Sequence, residues 1–110
     1  MRIDADAARP VLANITGGLS GPCVKPVALR MVFQVRRAIK LPIVGLGGVA
    51  TGEDAAEFIM AGADAVAVGT AALADPEAPV KVVEGLRSFM ETRGYKSARE
   101  MREAFEANLK

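Results

Sequence analysis

Two short apolar segments, each followed at once by a glycine turn, constrain the fold of this chain most strongly. Residues 43–46 read Ile-Val-Gly-Leu before a glycine pair, and residues 65–68 read Ala-Val-Ala-Val before Gly69. Short apolar runs bounded by proline and glycine are typical of buried parallel strands. The segment between them has the length of a helix, as a parallel crossover requires. The sequence therefore predicts an α/β fold.

The segments around these strands show helical periodicity. Residues 25–39 carry an apolar residue at every fourth position, which predicts an amphipathic helix. Three further helices are predicted from start and stop signals. Those signals are Thr51 with Asp54, Gly62, Asp75 with Pro76, Gly94, and Ser97 with Glu100. The third helix has a predicted apolar stripe of Val80, Val83, Leu86 and Met90. Residues 1–23, which are rich in glycine and proline, are predicted to form a long loop.

Composition excludes several classes of function. The chain has 110 residues with 14 Lys and Arg against 13 Asp and Glu, so one near-neutral domain is expected, without the basic field of a nucleic-acid-binding protein. It has no histidine and one cysteine, Cys23, which excludes histidine-dependent nucleophilic catalysis and a cysteine-rich zinc site. No apolar run approaches the roughly 18 residues of a membrane span. No metal and no membrane partner are predicted, and the expected location is cytoplasmic.

Three glycine-containing turns are the candidate ligand-binding loops. They lie at residues 16–21, 45–49 and 68–70, and the last two directly follow the predicted strands. Glycine lets backbone approach a ligand closely, and the N–H groups that begin the next helix suit an anion. In (β/α)8 barrels the loops after strands 7 and 8 frequently bind phosphate. A single such turn is more often only a tight turn, but the three together favour a phosphate site.

The motifs around these turns resemble those of the dihydroorotate dehydrogenase family. The resemblance rests on Ile-Val-Gly-Leu-Gly-Gly-Val-Ala-Thr at 43–51, Asn-Ile-Thr-Gly-Gly-Leu-Ser-Gly-Pro at 14–22 and Val-Gly-Thr-Ala at 68–71. It covers nearly the whole chain. It implies that residues 1–110 are the C-terminal part of a (β/α)8 TIM barrel, running from the loop after strand 6 through helix 6 to helix 8.

The resemblance also implies a cofactor and a reaction. The family binds FMN and oxidises dihydroorotate to orotate in the synthesis of UMP, and the opening loop is most similar to that of the NAD-linked bacterial type. In that type the catalytic subunit pairs with a flavin and iron–sulfur electron-transfer subunit. Matching the motifs residue by residue gives these FMN contacts: Gly21, Gly47, Gly48, Gly69 and Thr70. The backbone N–H groups of Gly47, Gly48 and Gly69, with the N–H or the hydroxyl of Thr70, are expected to hold the phosphate.

The family's strands 1 to 6 have no counterpart in this sequence. The family's catalytic cysteine, its lysine near the flavin and its orotate-binding asparagines lie on those strands, so no catalytic residue is assigned. The chain is therefore expected to be inactive alone, as the product of a truncated gene, a misassigned start or a fragment. The alternative interpretation is a non-catalytic phosphate-binding or self-assembling α/β module, in which copies associate through open strand edges.

Several polar residues have simpler interpretations than a role in catalysis. Cys23 is expected to be an inert loop thiol, and Lys25 and Arg30 are expected to be solvated residues of the first helix. Asp75 is interpreted as a helix cap and Asp64 as a loop residue before a strand. The charged residues of the last helix are expected to form an exposed face with pairs three and four positions apart, and they are Arg99, Glu100, Arg102, Glu103 and Glu106.

Overall fold

A computed structural model describes residues 1–109 of the chain. The described part contains four short strands, five α-helices and a 3-10 turn at Pro22–Val24. In chain order the strands and helices are β1 (Ile3–Asp4), β2 (Arg9–Pro10), α1 (Lys25–Ala38), β3 (Val44–Leu46), α2 (Gly52–Ala61), β4 (Ala65–Ala67), α3 (Thr70–Ala74), α4 (Ala78–Arg93) and α5 (Ala98–Ala107).

The two predicted strands form one parallel pair. Val44 aligns with Ala65 and Leu46 with Ala67, and α2 provides the connection between β3 and β4. Because both strands run the same way, their carboxyl ends and the glycine turns that follow lie at one edge of the sheet. This βαβ unit confirms the predicted α/β class.

The prediction of a continuous opening loop is wrong for its first ten residues. β1 and β2 pair antiparallel, with Ile3 opposite Pro10 and Asp4 opposite Arg9. The Asp4 carboxylate accepts a hydrogen bond of 3.0 Å from the Ala7 N–H, which closes the turn between the strands. A strand pair of two residues each is too short to leave a periodic signal in the sequence.

Helix α2 lies at the centre of the core. Ala55 and Phe58 on α2 are fully buried, together with Ala63 just after it. On another side of α2, Ala56 and Ile59 pack against Met101 of α5. The start of α2 also lies against α4, since a Cβ added at Gly52 would come within 2.1 Å of the Gly85 carbonyl carbon. The helix is thus covered by α1, α4 and α5.

The apolar side chains of β3 are not buried within the described residues. Val44 is 57% exposed and Leu46 is 63% exposed, while Gly45 between them lies against the Phe58 ring. Met31 of α1 is 60% exposed beside them. The expectation of fully buried strands is wrong here, because none of residues 1–109 covers this face.

The third predicted helix corresponds to α4, and the short helix α3 before it has no counterpart among the predicted helices. α3 ends at Ala74, α4 begins at Ala78, and Asp75 lies between them. The Asp75 carboxylate accepts from the Glu77 N–H at 3.0 Å, so Asp75 stabilises the turn before α4 and is not its N-cap residue. The predicted stripe is also partly wrong. Val80 and Val83 are exposed, because the face of α4 that meets α2 is the one bearing Ala78, Val82, Gly85 and Leu86.

The signals for the other helix boundaries are confirmed. The Thr51 hydroxyl accepts from the Asp54 N–H at 3.1 Å, and the Asp54 carboxylate accepts from the Thr51 N–H at 2.9 Å. Gly62 ends α2 with a φ of 122°. Ser97 caps α5 by accepting from the Glu100 N–H at 3.2 Å. Among residues 1–109 there is no helix whose length and apolarity would let it cross a membrane.

Candidate functional site

A cleft of about 370 Å³ lies at the sheet edge where β3 and β4 end. Its walls come from the turn before α1, the turn after β3, and the segment from the end of β4 to the start of α4. Small residues dominate the lining, which consists of Gly21, Pro22, Gly48, Val49, Ala50, Gly69, Thr70, Ala71, Ala74, Asp75 and Ala78. Three segments that are far apart in sequence therefore meet around one open space.

The structure brings together four of the five residues assigned to FMN contacts. Gly21, Gly48, Gly69 and Thr70 all line the cleft. Gly47 does not, because it faces α1, where an added Cβ would lie 2.7 Å from the Ala28 Cβ. Gly47 therefore lets the turn pack against α1, and the structure gives it no place on the cleft wall.

Gly48 is required by a close approach of two backbones. An added Cβ at this position would lie 2.7 Å from the Gly21 carbonyl oxygen and 3.2 Å from the Pro22 Cα. Its φ of +79° is also one that other residues rarely adopt. Any side chain at position 48 would therefore push apart the two turns that form this wall.

The cleft offers neutral hydrogen-bond donors. Among residues 1–109, the N–H groups of Gly48 and Gly69 have no hydrogen-bond acceptor. The Thr70 N–H begins α3 and has no acceptor within that helix, and the Thr70 side chain lines the same cleft. No lysine or arginine among residues 1–109 lines the cleft. Backbone N–H groups directed into a concave space are a usual way to bind a phosphate.

Within the described part of the chain, Asp75 is the one carboxylate on the cleft wall. It accepts a hydrogen bond of 2.7 Å from the Lys81 ammonium, and this bond together with one from the Glu77 N–H lowers the pKa of Asp75. The partner cation offsets the negative charge that Asp75 places near an anion. Asp75 is thus compatible with phosphate in the cleft.

The expectation that Lys25 is solvated is wrong. Its ammonium donates to the Asp54 carboxylate at 2.5 Å and lies 2.9 Å from Glu57. Asp54 is also within hydrogen-bond distance of the N–H groups of Ala50 and Thr51. Arg30 is exposed as expected. Lys25 and Asp54 lie 29 positions apart, so no local pattern could have revealed the pair.

A second ion cluster joins α1 and α5 to the loop before β4. The Asp64 carboxylate binds Arg36 of α1 and Arg102 of α5 and accepts from the Ile43 N–H at 2.9 Å. Asp64 is a loop residue as expected, but Arg102 is not part of an exposed face, because it also donates to the Ala63 carbonyl at 2.9 Å. The Arg99–Glu103 pair, by contrast, is exposed as expected.

Acid is expected to destabilise the chain through Asp54 and Asp64. Burial would raise the pKa of Asp54, but the hydrogen bonds from Lys25, Ala50 and Thr51 outweigh it and lower the pKa below 3.8. The Ile43 N–H, with Arg36 and Arg102, lowers the pKa of Asp64. A lowered folded-state pKa stabilises the fold above the unfolded value, and this stability is lost as the pH falls below about 4.

Urea unfolding followed by circular dichroism at about pH 7 and about pH 3 measures this loss. A double variant, Asp54→Asn with Asp64→Asn, should be less stable at neutral pH and lose less on acidification. An equal loss of stability in the double variant and the wild type would show that other carboxylates are responsible.

Two further candidates for chemistry are the Cys23 thiol and a metal site. Cys23 is an exposed free thiol whose Sγ donates to the Ser20 carbonyl at 3.5 Å, consistent with a loop thiol. Within residues 1–109 no group of three or more metal-ligating side chains is present.

Comparison with known proteins decides the family. The family model described as "Dihydroorotate dehydrogenase" matches residues 1–90, which include all three glycine turns. The chain belongs to the dihydroorotate dehydrogenase family. This confirms the resemblance found in the motifs.

Individual members of the dihydroorotate dehydrogenase family agree with this assignment. The chain is 52% identical over 101 residues to the dihydroorotate dehydrogenase B (NAD(+)) catalytic subunit of Parabacteroides distasonis, covering 92% of this chain and 33% of that protein. It is 54% identical over 102 residues to the subunit of the same name from Alkaliphilus metalliredigens, covering 93% of this chain and 34% of that protein. The chain thus spans about a third of the length of these relatives.

A solved structure supports the fold. The dihydroorotate dehydrogenase of Eimeria tenella, crystallised in complex with ferulenol, superposes with a TM-score of 0.72 at 30% identity, covering 78% of this chain and 24% of that one. The chain is accordingly an α/β segment of the barrel fold of the dihydroorotate dehydrogenase family. Members of the dihydroorotate dehydrogenase family are in general flavin-dependent oxidoreductases of pyrimidine biosynthesis.

Proposed function

We propose that this chain forms the FMN-phosphate end of a dihydroorotate dehydrogenase catalytic subunit of the NAD-linked type. One observation carries the proposal: in a chain of this family, the turns after two parallel strands border a cleft lined by Gly48 and Gly69, whose backbone N–H groups have no hydrogen-bond acceptor among residues 1–109. In this proposal residues 1–110 are one partial barrel domain. The complete enzyme would oxidise dihydroorotate to orotate in pyrimidine biosynthesis.

The residues present fit a phosphate group. Gly21, Gly48 and Gly69 leave room for it, and the N–H groups of Gly48 and Gly69 with the Thr70 hydroxyl would donate to its oxygens. Gly47 would contribute indirectly, by seating the turn on α1. When bound, FMN would supply the redox chemistry, while these residues fix its position. FMN is thus the proposed cofactor, held here at its phosphate.

The remaining parts of the enzyme would lie outside this chain. The relatives are about three times its length, and the exposed face formed by Met31, Val44 and Leu46 is where further barrel strands would pack. We place the substrate-binding and proton-transferring groups on those strands, so the chain alone would not oxidise dihydroorotate. The name "catalytic subunit" carried by the relatives supports a second, electron-transfer subunit as partner.

Titration of the purified chain with FMN, followed by flavin fluorescence, tests the proposed cofactor site. We expect saturable binding that Gly69→Val weakens by about tenfold or more, which corresponds to about 1.4 kcal/mol. Gly69 is the informative position because its added Cβ would meet no atom within 4 Å, so valine would fill the cleft without an internal clash.

The matched control is Ala107→Val, which adds a branched side chain at the exposed end of α5. It should bind FMN as the wild type does. Absence of saturable binding to the wild-type chain would overturn the proposal for this chain, and equal binding by Gly69→Val would move the phosphate away from this cleft.

A second candidate function is a self-assembling phosphate-binding module. The exposed apolar face of β3 and α1 favours it, because association between copies would bury this face. Sedimentation of the chain at micromolar concentration distinguishes the two. A folded monomer would count against the module.

A further inference from the structure

The Asp54 carboxylate joins the turn after β3 to the start of α1. One oxygen accepts from the N–H groups of Ala50 and Thr51 at 3.0 and 2.9 Å. The other accepts from the Lys25 ammonium at 2.5 Å. Glu57, one turn further along α2, lies 2.9 Å from the same ammonium. Both Asp54 oxygens are therefore occupied, and the contacts extend from the turn after β3 to the start of α1.

These contacts lie directly behind the cleft wall. Ala50 lines the cleft, and Lys25 follows the turn at Pro22–Val24 without a gap. An added Cβ at Gly48 would lie 3.0 Å from the Lys25 Cβ, so the Lys25 stem lies against the turn that carries Gly48. Lys25 itself does not line the cleft. Its ammonium is held between two carboxylates and acts on the cleft only through the turn.

The ion pair of Lys25 and Asp54 is shielded from solvent enough to hold its two side chains in a fixed arrangement. The Lys25 side chain is 22% exposed and that of Asp54 is 15% exposed. Partly desolvated, charge-assisted hydrogen bonds are stronger than those of exposed ion pairs. The hydrogen bond to Asp54 raises the pKa of Lys25, in agreement with this geometry. By contrast, Arg99 and Glu103 form a pair that is 84% and 57% exposed.

We propose that Lys25 and Asp54 are positioning residues for the phosphate cradle: they hold the turn at residues 48–51 against the turn at 21–22, so that the Gly48 N–H faces the cleft. This inference rests on the proposed function, in which the cleft receives the phosphate of FMN. Neither side chain touches the ligand in this role. The N–H groups of Ala50 and Thr51 are consumed by Asp54, which leaves the Gly48 N–H as a free donor of this turn.

The test compares FMN with riboflavin, which lacks the phosphate, by fluorescence titration of the full chain. We expect Lys25→Met to lower the affinity for FMN by about tenfold while changing that for riboflavin by less than about twofold, because only the phosphate grip is disturbed. Asp54→Asn should act in the same direction. Lys25→Arg, which keeps the cation, should retain most of the preference for FMN.

Arg99→Met is the matched control, since it removes a cation from an exposed pair on α5 and should leave both affinities unchanged. A purely structural role for Lys25 would lower the two affinities together. If Asp54→Asn fails to fold by circular dichroism, the two Lys25 variants decide the question.

The outcomes separate the two hypotheses. A wild-type chain with no preference for FMN over riboflavin would overturn the proposed function, and this inference with it. A preference that Lys25→Met and every folded variant at Asp54 retain would overturn the positioning role alone and leave the proposed function intact.

Discussion

Replacing Gly52 with alanine is expected to destabilise the chain by about 3 kcal/mol. The added Cβ would lie 2.1 Å from the Gly85 carbonyl carbon and 2.2 Å from the Leu86 nitrogen. Both atoms belong to the backbone of α4, so no side-chain rotation relieves the clash, and α2 must move away from α4. In an exposed helix the same change usually stabilises by up to about 1 kcal/mol. A loss of stability in Gly52→Ala would therefore indicate the close backbone contact between α2 and α4.

Urea unfolding followed by far-ultraviolet circular dichroism measures the loss. Gly18→Ala is the matched control, since an added Cβ there meets no atom within 4 Å, and it should change stability by less than about 0.5 kcal/mol. Gly85→Ala should cost less than Gly52→Ala, because its added Cβ would lie 3.1 Å from the Gly52 nitrogen. Equal stability of Gly52→Ala and the wild type would contradict a backbone contact between α2 and α4 at this position.

Truncating Phe58 to alanine is expected to cost about 4 kcal/mol. Phe58 is fully buried, and its ring fills the space beside Gly45, where an added Cβ would lie 2.7 Å from a ring carbon. The deletion leaves a cavity between α2 and β3 that the flat backbone of Gly45 cannot fill. Loss of the ring also removes the contact between α2 and Gly45 of β3.

Thermal and urea unfolding of Phe58→Ala measure this loss, with Phe33→Ala as the control. Phe33 loses the same number of atoms but is only half-buried, with an edge-to-face contact to Phe105 at 6.3 Å between ring centroids. Its truncation should cost about 1 to 2 kcal/mol. A cost for Phe33→Ala equal to that of Phe58→Ala would contradict the central place of α2.

Most of the helices and strands that were predicted correctly have signals within a few residues of each other in the sequence. Thr51 and Asp54 are three positions apart, and their reciprocal hydrogen bonds depend only on that spacing. Gly62 and Gly94 end their helices because each adopts a positive φ. The two apolar runs were predicted to be parallel strands because a helix lies between them in the sequence, and parallel strands are usually joined by a helical crossover.

Long-range contacts explain the errors. The ion pair of Lys25 with Asp54 and the contact of Arg102 with Asp64 join residues 29 and 38 positions apart, and neither pairing is encoded in a local pattern. The exposure of Val80 follows from which side of α4 meets α2, which depends on the close approach at Gly52. Periodicity shows that a helix has an apolar side, but not which neighbour that side meets.

The candidate site was predicted in part. Glycine turns after strands indicated where backbone approaches a ligand, and Gly48 and Gly69 do lie on the cleft. The packing of Gly47 against Ala28 could not be predicted. A glycine that makes room for a ligand and a glycine that makes room for a neighbouring helix look the same in a sequence. The binding of FMN at this cleft stays a prediction.

The position of α5 has a consequence for how the chain folds as it is synthesised. Ala56 and Ile59 are covered by Met101, and the Ala63 carbonyl accepts a hydrogen bond from Arg102, 39 positions later. Until α5 has left the ribosome, this side of α2 lacks the part of its cover that Met101 provides. Exposed apolar surface on a nascent chain is what chaperones bind. We therefore expect the nascent chain to remain a chaperone client until α5 emerges.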